Sequence, residues 1–130
     1  MHNLGLVLSD LGRHAEAVRA VQEAVDIRRV QASRAPSRFQ WFLGQILTAF
    51  AGVLFVAARY QEALAAAQEA VTIFRPLAAD DLSTRGPDLI WALNVLESLF
   101  ATVGQLEDAE AAADEAAQIQ HLINTHEVDP

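Results

Sequence analysis

One pattern occurs three times at a fixed spacing, and it constrains every other reading of the chain. Leu8-x-x-Leu11-Gly12-Arg13-His14-x-Glu16-Ala17-Val18 returns as Leu54-x-x-Ala57-Ala58-Arg59-Tyr60-x-Glu62-Ala63-Leu64, and then as Phe100-x-x-Val103-Gly104-Gln105-Leu106-x-Asp108-Ala109. Each copy begins 46 residues after the previous one. The register holds downstream, where Ala24-Val25-x-Ile27, Ala70-Val71-x-Ile73 and Ala116-Ala117-x-Ile119 align, and upstream at Leu4, Phe50 and Leu96. A period of this size belongs to chains that stack one supersecondary unit on the next. At 130 residues the chain has room for about three such units around a single core.

Each unit reads as a helix hairpin. Leu93, Leu96, Phe100 and Val103 follow the spacing of one helical stripe, which defines a first helix. Gly12 and Gly104 are expected to end that helix, because Gly reaches the left-handed conformation at little cost. The second helix places Ala17, Val18, Val21, Ala24, Val25 and Ile27 on one side, with Glu16, Arg19, Gln22, Glu23, Asp26 and Arg29 on the other. Ala17, Ala63 and Ala109 fall where the two helices cross, and a small side chain there lets the axes approach to about 8–10 Å.

These residues resemble the tetratricopeptide repeat family. Its signature pairs Leu with Gly in the first helix, places Gly before the turn and Ala at two points of the second helix. Leu4-Gly5, Leu8, Gly12, Ala17 and Ala24 match it most fully; the second unit keeps Leu54, Tyr60, Ala63 and Ala70, and the third keeps Leu96, Phe100, Gly104, Ala109 and Ala116. Phe50-Ala51, Ala58 and Leu96-Glu97 depart from it, and the period exceeds the usual 34 residues, as in long-helix relatives. The resemblance implies an all-α fold, an α-solenoid of antiparallel hairpins with about three repeats and about six helices.

Breakers set the expected boundaries. Pro36 and Pro87 are each suited to a first helical position, giving units of about 1–35, 36–86 and 87–123. Helices are predicted near 3–12, 14–33, 37–57, 60–75, 87–103 and 106–123. Pro76 is expected to end or kink the fourth, leaving 77–86 as the longest connection. The first helix is shorter than its counterparts, so the chain reads as a fragment of a longer array or as one whose end another chain covers.

Function classes narrow by exclusion. The formal charge is −8, and all nine basic residues are scattered Arg, which disfavours nucleic acid. Without Cys there is no disulfide, thiolate ligand or thiol nucleophile. Met1 to Asp10 lacks a signal-peptide layout, so a cytoplasmic location is expected. Phe39 to Ala58 runs twenty residues without a charge, long enough to span a bilayer; a buried central helix explains it without lipid. His121 and His126 are five apart, off the i, i+4 spacing of paired ligands, and no nucleophile, base and orienter stand together. No metal, cofactor or catalytic residue is expected. The loop around Asp80-Asp81 and the acidic run Glu107, Asp108, Glu110, Asp114 and Glu115 read as solvated.

The resemblance also implies where a partner would sit. In the family, first-helix residues facing away from the second helix line a concave groove; here these are Gln45, Thr48, Gly52, Phe55 and Val56, then Trp91, Asn94, Ser98, Ala101 and Thr102. Phe55, Val56 and Trp91 either form an apolar recognition surface or pack on neighbouring helices. The carboxylate clamp that some members use for peptide C-termini is missing, since only Asp10 is charged at those positions. The expected role is a protein- or peptide-binding scaffold, with a homodimer as a further possibility. A regulatory segment of a larger signalling protein bearing an NTPase or transcription-factor domain is the alternative, and a membrane-attached helical protein a third.

Overall fold

The computed structural model describes residues 2–128, with side-chain environments from 12 to 125. Among these residues it has five helices: α1 His2–Arg34, α2 Pro36–Val56, α3 Tyr60–Asp80, α4 Leu82–Thr102 and α5 Leu106–Val128. Each packs on its neighbours in sequence, and α2 also touches α4.

Small side chains permit this packing. Helix α3, held between α2 and α4, buries Ala63, Ala66, Ala67 and Ala70 with Leu64, Val71, Phe74 and Ala78. Gly44 of α2 lies so close to Phe74 that a Cβ there would stand 2.7 Å from the ring. Helix α1 contributes Val18, Val25 and Ala32, a stripe with heptad spacing that packs against α2.

The connections repeat in detail. Arg59 N–H donates to the Leu54 carbonyl at 2.9 Å and Ala58 N–H to Phe55 at 3.0 Å; Gln105 donates to Phe100 at 2.8 Å and Gly104 to Ala101 at 3.2 Å. This is the Schellman closure, which satisfies the last carbonyls of a helix through one left-handed residue. That residue is Gly104 at φ +82° in one turn and Ala58 at φ +62° in the other. Ala35 and Asp81, the single residues between α1 and α2 and between α3 and α4, also share a backbone conformation, with φ −144° and −143°. Two exposed ion pairs recur at the same offset: Arg29 holds Glu69, and Arg75 holds Glu115 with bonds of 2.9 and 2.7 Å.

Several expectations are corrected. The helices expected at 3–12 and 14–33 are one helix, so five helices stand where about six were predicted. Gly12 does not turn the chain, and nothing lies within 4 Å of where its Cβ would be. Ala17, expected at a helix crossing, is consequently exposed, whereas Ala63 and Ala109 are buried at 0% and 7%.

Pro36 does open α2, but Pro76 lies inside α3 and Pro87 inside α4. Each removes one hydrogen bond, to the carbonyl of Thr72 or Ser83. Thr72, Pro76, Ser83 and Pro87 are all exposed, so water can reach those carbonyls, while burial of Phe74, Ala78 and Leu89 carries the helices through. The connection expected at 77–86 therefore shrinks to Asp81, whose carboxylate accepts from the Thr84 N–H at 3.4 Å and caps α4.

Candidate peptide-binding hollow

The direct approach of α2 to α4 leaves an open hollow on one side of the pair. Gly52 and Phe55 of α2 face Asn94, Val95 and Ser98 of α4 across a space of about 370 Å³. Gly52 keeps the α2 wall low, with nothing within 4 Å of a Cβ position. Phe55 and Val95 supply apolar surface and are half-buried; Asn94 and Ser98 are exposed and supply a polar edge. Phe55 is held edge-on by Tyr60, ring centroids 5.7 Å apart.

Of the residues singled out in the sequence, the structure brings Phe55, Asn94 and Ser98 together. Trp91 lies one turn before Asn94 and is 42% exposed, beside the hollow; Val56 is 63% exposed at the end of α2. Gln45 is half-buried further along α2. Thr48 faces inward: it is buried at 1%, its hydroxyl donating to the Gly44 carbonyl at 2.9 Å, and it has no surface to offer a partner. Ala101 and Thr102 are exposed beyond Ser98, the Thr102 hydroxyl donating to the Ser98 carbonyl at 2.8 Å.

A second arrangement joins the opposite ends of α2 and α4, and sequence reasoning passed over it. Trp41 Nε1–H donates to Asp88 Oδ2 at 2.6 Å, and the Arg85 guanidinium lies 4.4 Å from the indole. Phe42 packs edge-on to Trp41 with ring centroids 4.9 Å apart, and the Arg28 guanidinium lies over the Phe42 ring at 4.9 Å. The signal was available: an indole inside an uncharged run needs an acceptor from another element. This cluster ties α2 to α4 through the Trp41–Asp88 hydrogen bond.

The charged groups perform structural work. Hydrogen bonding to Glu69 and Glu115 raises Arg29 and Arg75 above their ordinary range, opposed by partial desolvation. Arg59, bonded to Glu62, holds that carboxyl below its usual value. Of the acidic run on α5, Glu107, Asp108, Glu110 and Asp114 are exposed, while Glu115 is half-buried against Arg75. His14 is half-buried and His121 exposed; the side chains of His2 and His126 lie outside the described ones. Among the described residues no three His, Cys, Asp or Glu side chains gather as a metal site would require.

Helix α2 is long and apolar enough to cross a membrane, with 39% of its apolar stretch buried against other helices. The hollow offers two apolar side chains, an amide and a hydroxyl on an accessible face.

A family model described as a tetratricopeptide repeat matches residues 1–30. No curated protein and no solved structure matches the chain.

Proposed function

We propose that this chain is a non-catalytic scaffold of stacked, antiparallel helix hairpins in 46-residue units that binds a protein segment in the hollow between α2 and α4. The tetratricopeptide repeat at residues 1–30 supports a protein-interaction role. The recurrence of turns, caps and ion pairs at one offset, together with packing between consecutive helices, supports the stacked arrangement.

The observation that carries the binding site is the convergence of Phe55 with Asn94 and Ser98 around an accessible hollow. Phe55 and Val95 would anchor an apolar side chain of the ligand, Asn94 and Ser98 would bond its backbone, and Trp91 would extend the contact by a turn. An extended or helical segment suits this better than a free C-terminus, because the hollow has no cation among its lining residues to meet a carboxylate.

Selection from a displayed peptide library, followed by titration of the selected peptides, tests the site. Phe55→Glu should weaken binding at least about tenfold, since a carboxylate would occupy an apolar anchor point. Trp91→Ala should weaken it less. If selected peptides bind both variants as tightly as the parent chain, the hollow is not the site.

A further inference from the structure

Arginines that are scattered in the sequence are gathered by the fold at one end of the helix stack. Between Asp26 and Glu62 the chain carries Arg28, Arg29, Arg34, Arg38 and Arg59 and not one carboxylate, although its formal charge as a whole is −8. Arg29 and Arg59 are held by Glu69 and Glu62 respectively. Arg28 and Arg38 instead lie on rings near the start of α2, 4.9 Å from the Phe42 centroid and 5.4 Å from that of Phe39. Arg85 of α4 joins them over Trp41 at 4.4 Å. Three helices thus each contribute one guanidinium to a shared aromatic floor. None of the three forms an ion pair among the described residues; Arg28 donates to the Gln31 side chain at 3.1 Å.

The chemistry of this end selects its ligand. A guanidinium is always charged and donates from its edge; stacking on a ring fixes its plane and leaves that edge open. Little side-chain freedom then remains to be lost when an oxygen anion arrives. The links from Arg85 to Trp41, from Trp41 to Phe42 and from Phe42 to Arg28 measure 4.4, 4.9 and 4.9 Å. Together they reach no further than an extended chain of about four residues at ~3.3 Å each. Because each ring carries its own guanidinium, the positive charge is divided among separate points, which suits single carboxylates along a chain better than one compact polyanion. Asp81 stands one turn before Arg85 and Asp88 one turn after it, and most of the remaining surface is acidic. A long polyanion or a lipid surface would be repelled on leaving the patch, whereas a short acidic segment would not.

We propose that Arg28, Arg38 and Arg85 form a docking platform for an acidic segment of a partner protein, one with several Asp or Glu side chains close together in sequence. The carboxylates accept from the guanidinium edges, while Trp41, bonded to Asp88 at 2.6 Å, keeps the floor in place. The inference rests on the interaction-scaffold reading but not on the hollow. Phe55 lies about 21 Å further along α2 than Trp41, at 1.5 Å per residue. That separation exceeds the ~8 Å over which charges act in physiological salt, so the two sites are independent electrostatically.

The experiment is an NMR titration of the whole chain with octaglutamate, read at the indole N–H signals of its two Trp residues. The Trp41 signal should move, the Trp91 signal should move far less, and the response should weaken as salt rises. Arg28→Gln combined with Arg38→Gln should raise the dissociation constant at least about tenfold. Arg38 is exposed, so Arg38→Gln alone spares the core and should give a smaller rise in the same direction. Arg59→Gln removes an equal charge away from the rings and should change binding little, which separates the platform from net charge. An unmoved Trp41 signal at millimolar octaglutamate overturns the proposal, as does equal binding by the parent and the double variant. Tighter binding to anionic phospholipid vesicles or to a single-stranded oligonucleotide than to octaglutamate overturns it too, since the partner would then be lipid or nucleic acid. Phe55→Glu should leave octaglutamate binding untouched, so failure of the hollow and failure of the platform are read separately.

Discussion

Ala58 occupies a conformation that its side chain resists. At φ +62° it stands at the position following the cap of α2, where its N–H and that of Arg59 close the last carbonyls of the helix. A left-handed L-residue costs about 1–2 kcal/mol, because Cβ crowds the following carbonyl. Ala58→Gly removes that crowding, and the exposed methyl gives up no packing. Against the gain stands the larger entropy that glycine loses on folding, about 0.5–1 kcal/mol. The net expectation is a stabilisation of about 0.5–1 kcal/mol, which in a chain of this size raises Tm by about 2–5 °C. Gly104→Ala applies the reverse change at the equivalent turn and should destabilise by a similar amount. Thermal and urea unfolding followed by circular dichroism measure both, with an unchanged denaturant slope showing that only the native state has moved. If Ala58→Gly lowers Tm, α2 and α3 are not separated by this turn and the helix runs on as α1 does at Gly12. The rest of the fold would then need to be redrawn.

Other substitutions probe the packing and the charges. Gly44→Ala forces a Cβ to 2.7 Å from the buried Phe74 ring and should cost about 1–3 kcal/mol in urea unfolding; Gly86→Ala brings a Cβ to 2.8 Å from Cδ1 and 3.3 Å from Cγ1 of Ile123, an aliphatic end that gives more readily than a ring, and should be milder. A double-mutant cycle on Arg75 and Glu115 should return a coupling of about 1 kcal/mol or less, shrinking with salt, because the Arg75 side chain is 54% exposed and the half-buried Glu115 side chain still 29%. Trp41→Phe leaves Asp88 without its indole donor and should cost about 1–2 kcal/mol, measured by chemical unfolding. Since Arg59 depresses the Glu62 carboxyl, that pairing stabilises the fold above the unfolded value of 4.5 and fades as acid protonates it; an NMR titration should place the Glu62 midpoint below that value.

Much of the fold was legible because the same residues recur. Ala63, Ala70, Ala109 and Ala116 lie in the core where the spacing placed them, and Gly104 turns the chain where a left-handed residue was required. What the pattern could not convey is that one motif can take two backbone conformations: Gly104 reverses the chain at φ +82°, whereas α1 runs on through Gly12. Pro76 and Pro87 misled for another reason. Each is a local breaker whose orphaned carbonyl belongs to an exposed residue, so tertiary burial outweighed it. Asp81 did announce the start of α4 as a capping side chain, but Pro87 was the louder signal. The hollow was half readable. Of the positions that the family resemblance implied, Phe55, Asn94 and Ser98 line one hollow, whereas Thr48 turns inward because its hydroxyl can bond a carbonyl of its own helix and so be buried at little cost.

The two ion pairs impose a polarity. Arg29 of α1 reaches forward to Glu69 of α3, and Arg75 of α3 reaches forward to Glu115 of α5. In every rung the cation belongs to the earlier helix and the anion to the later. Stacking such helices in the opposite order would set guanidinium against guanidinium.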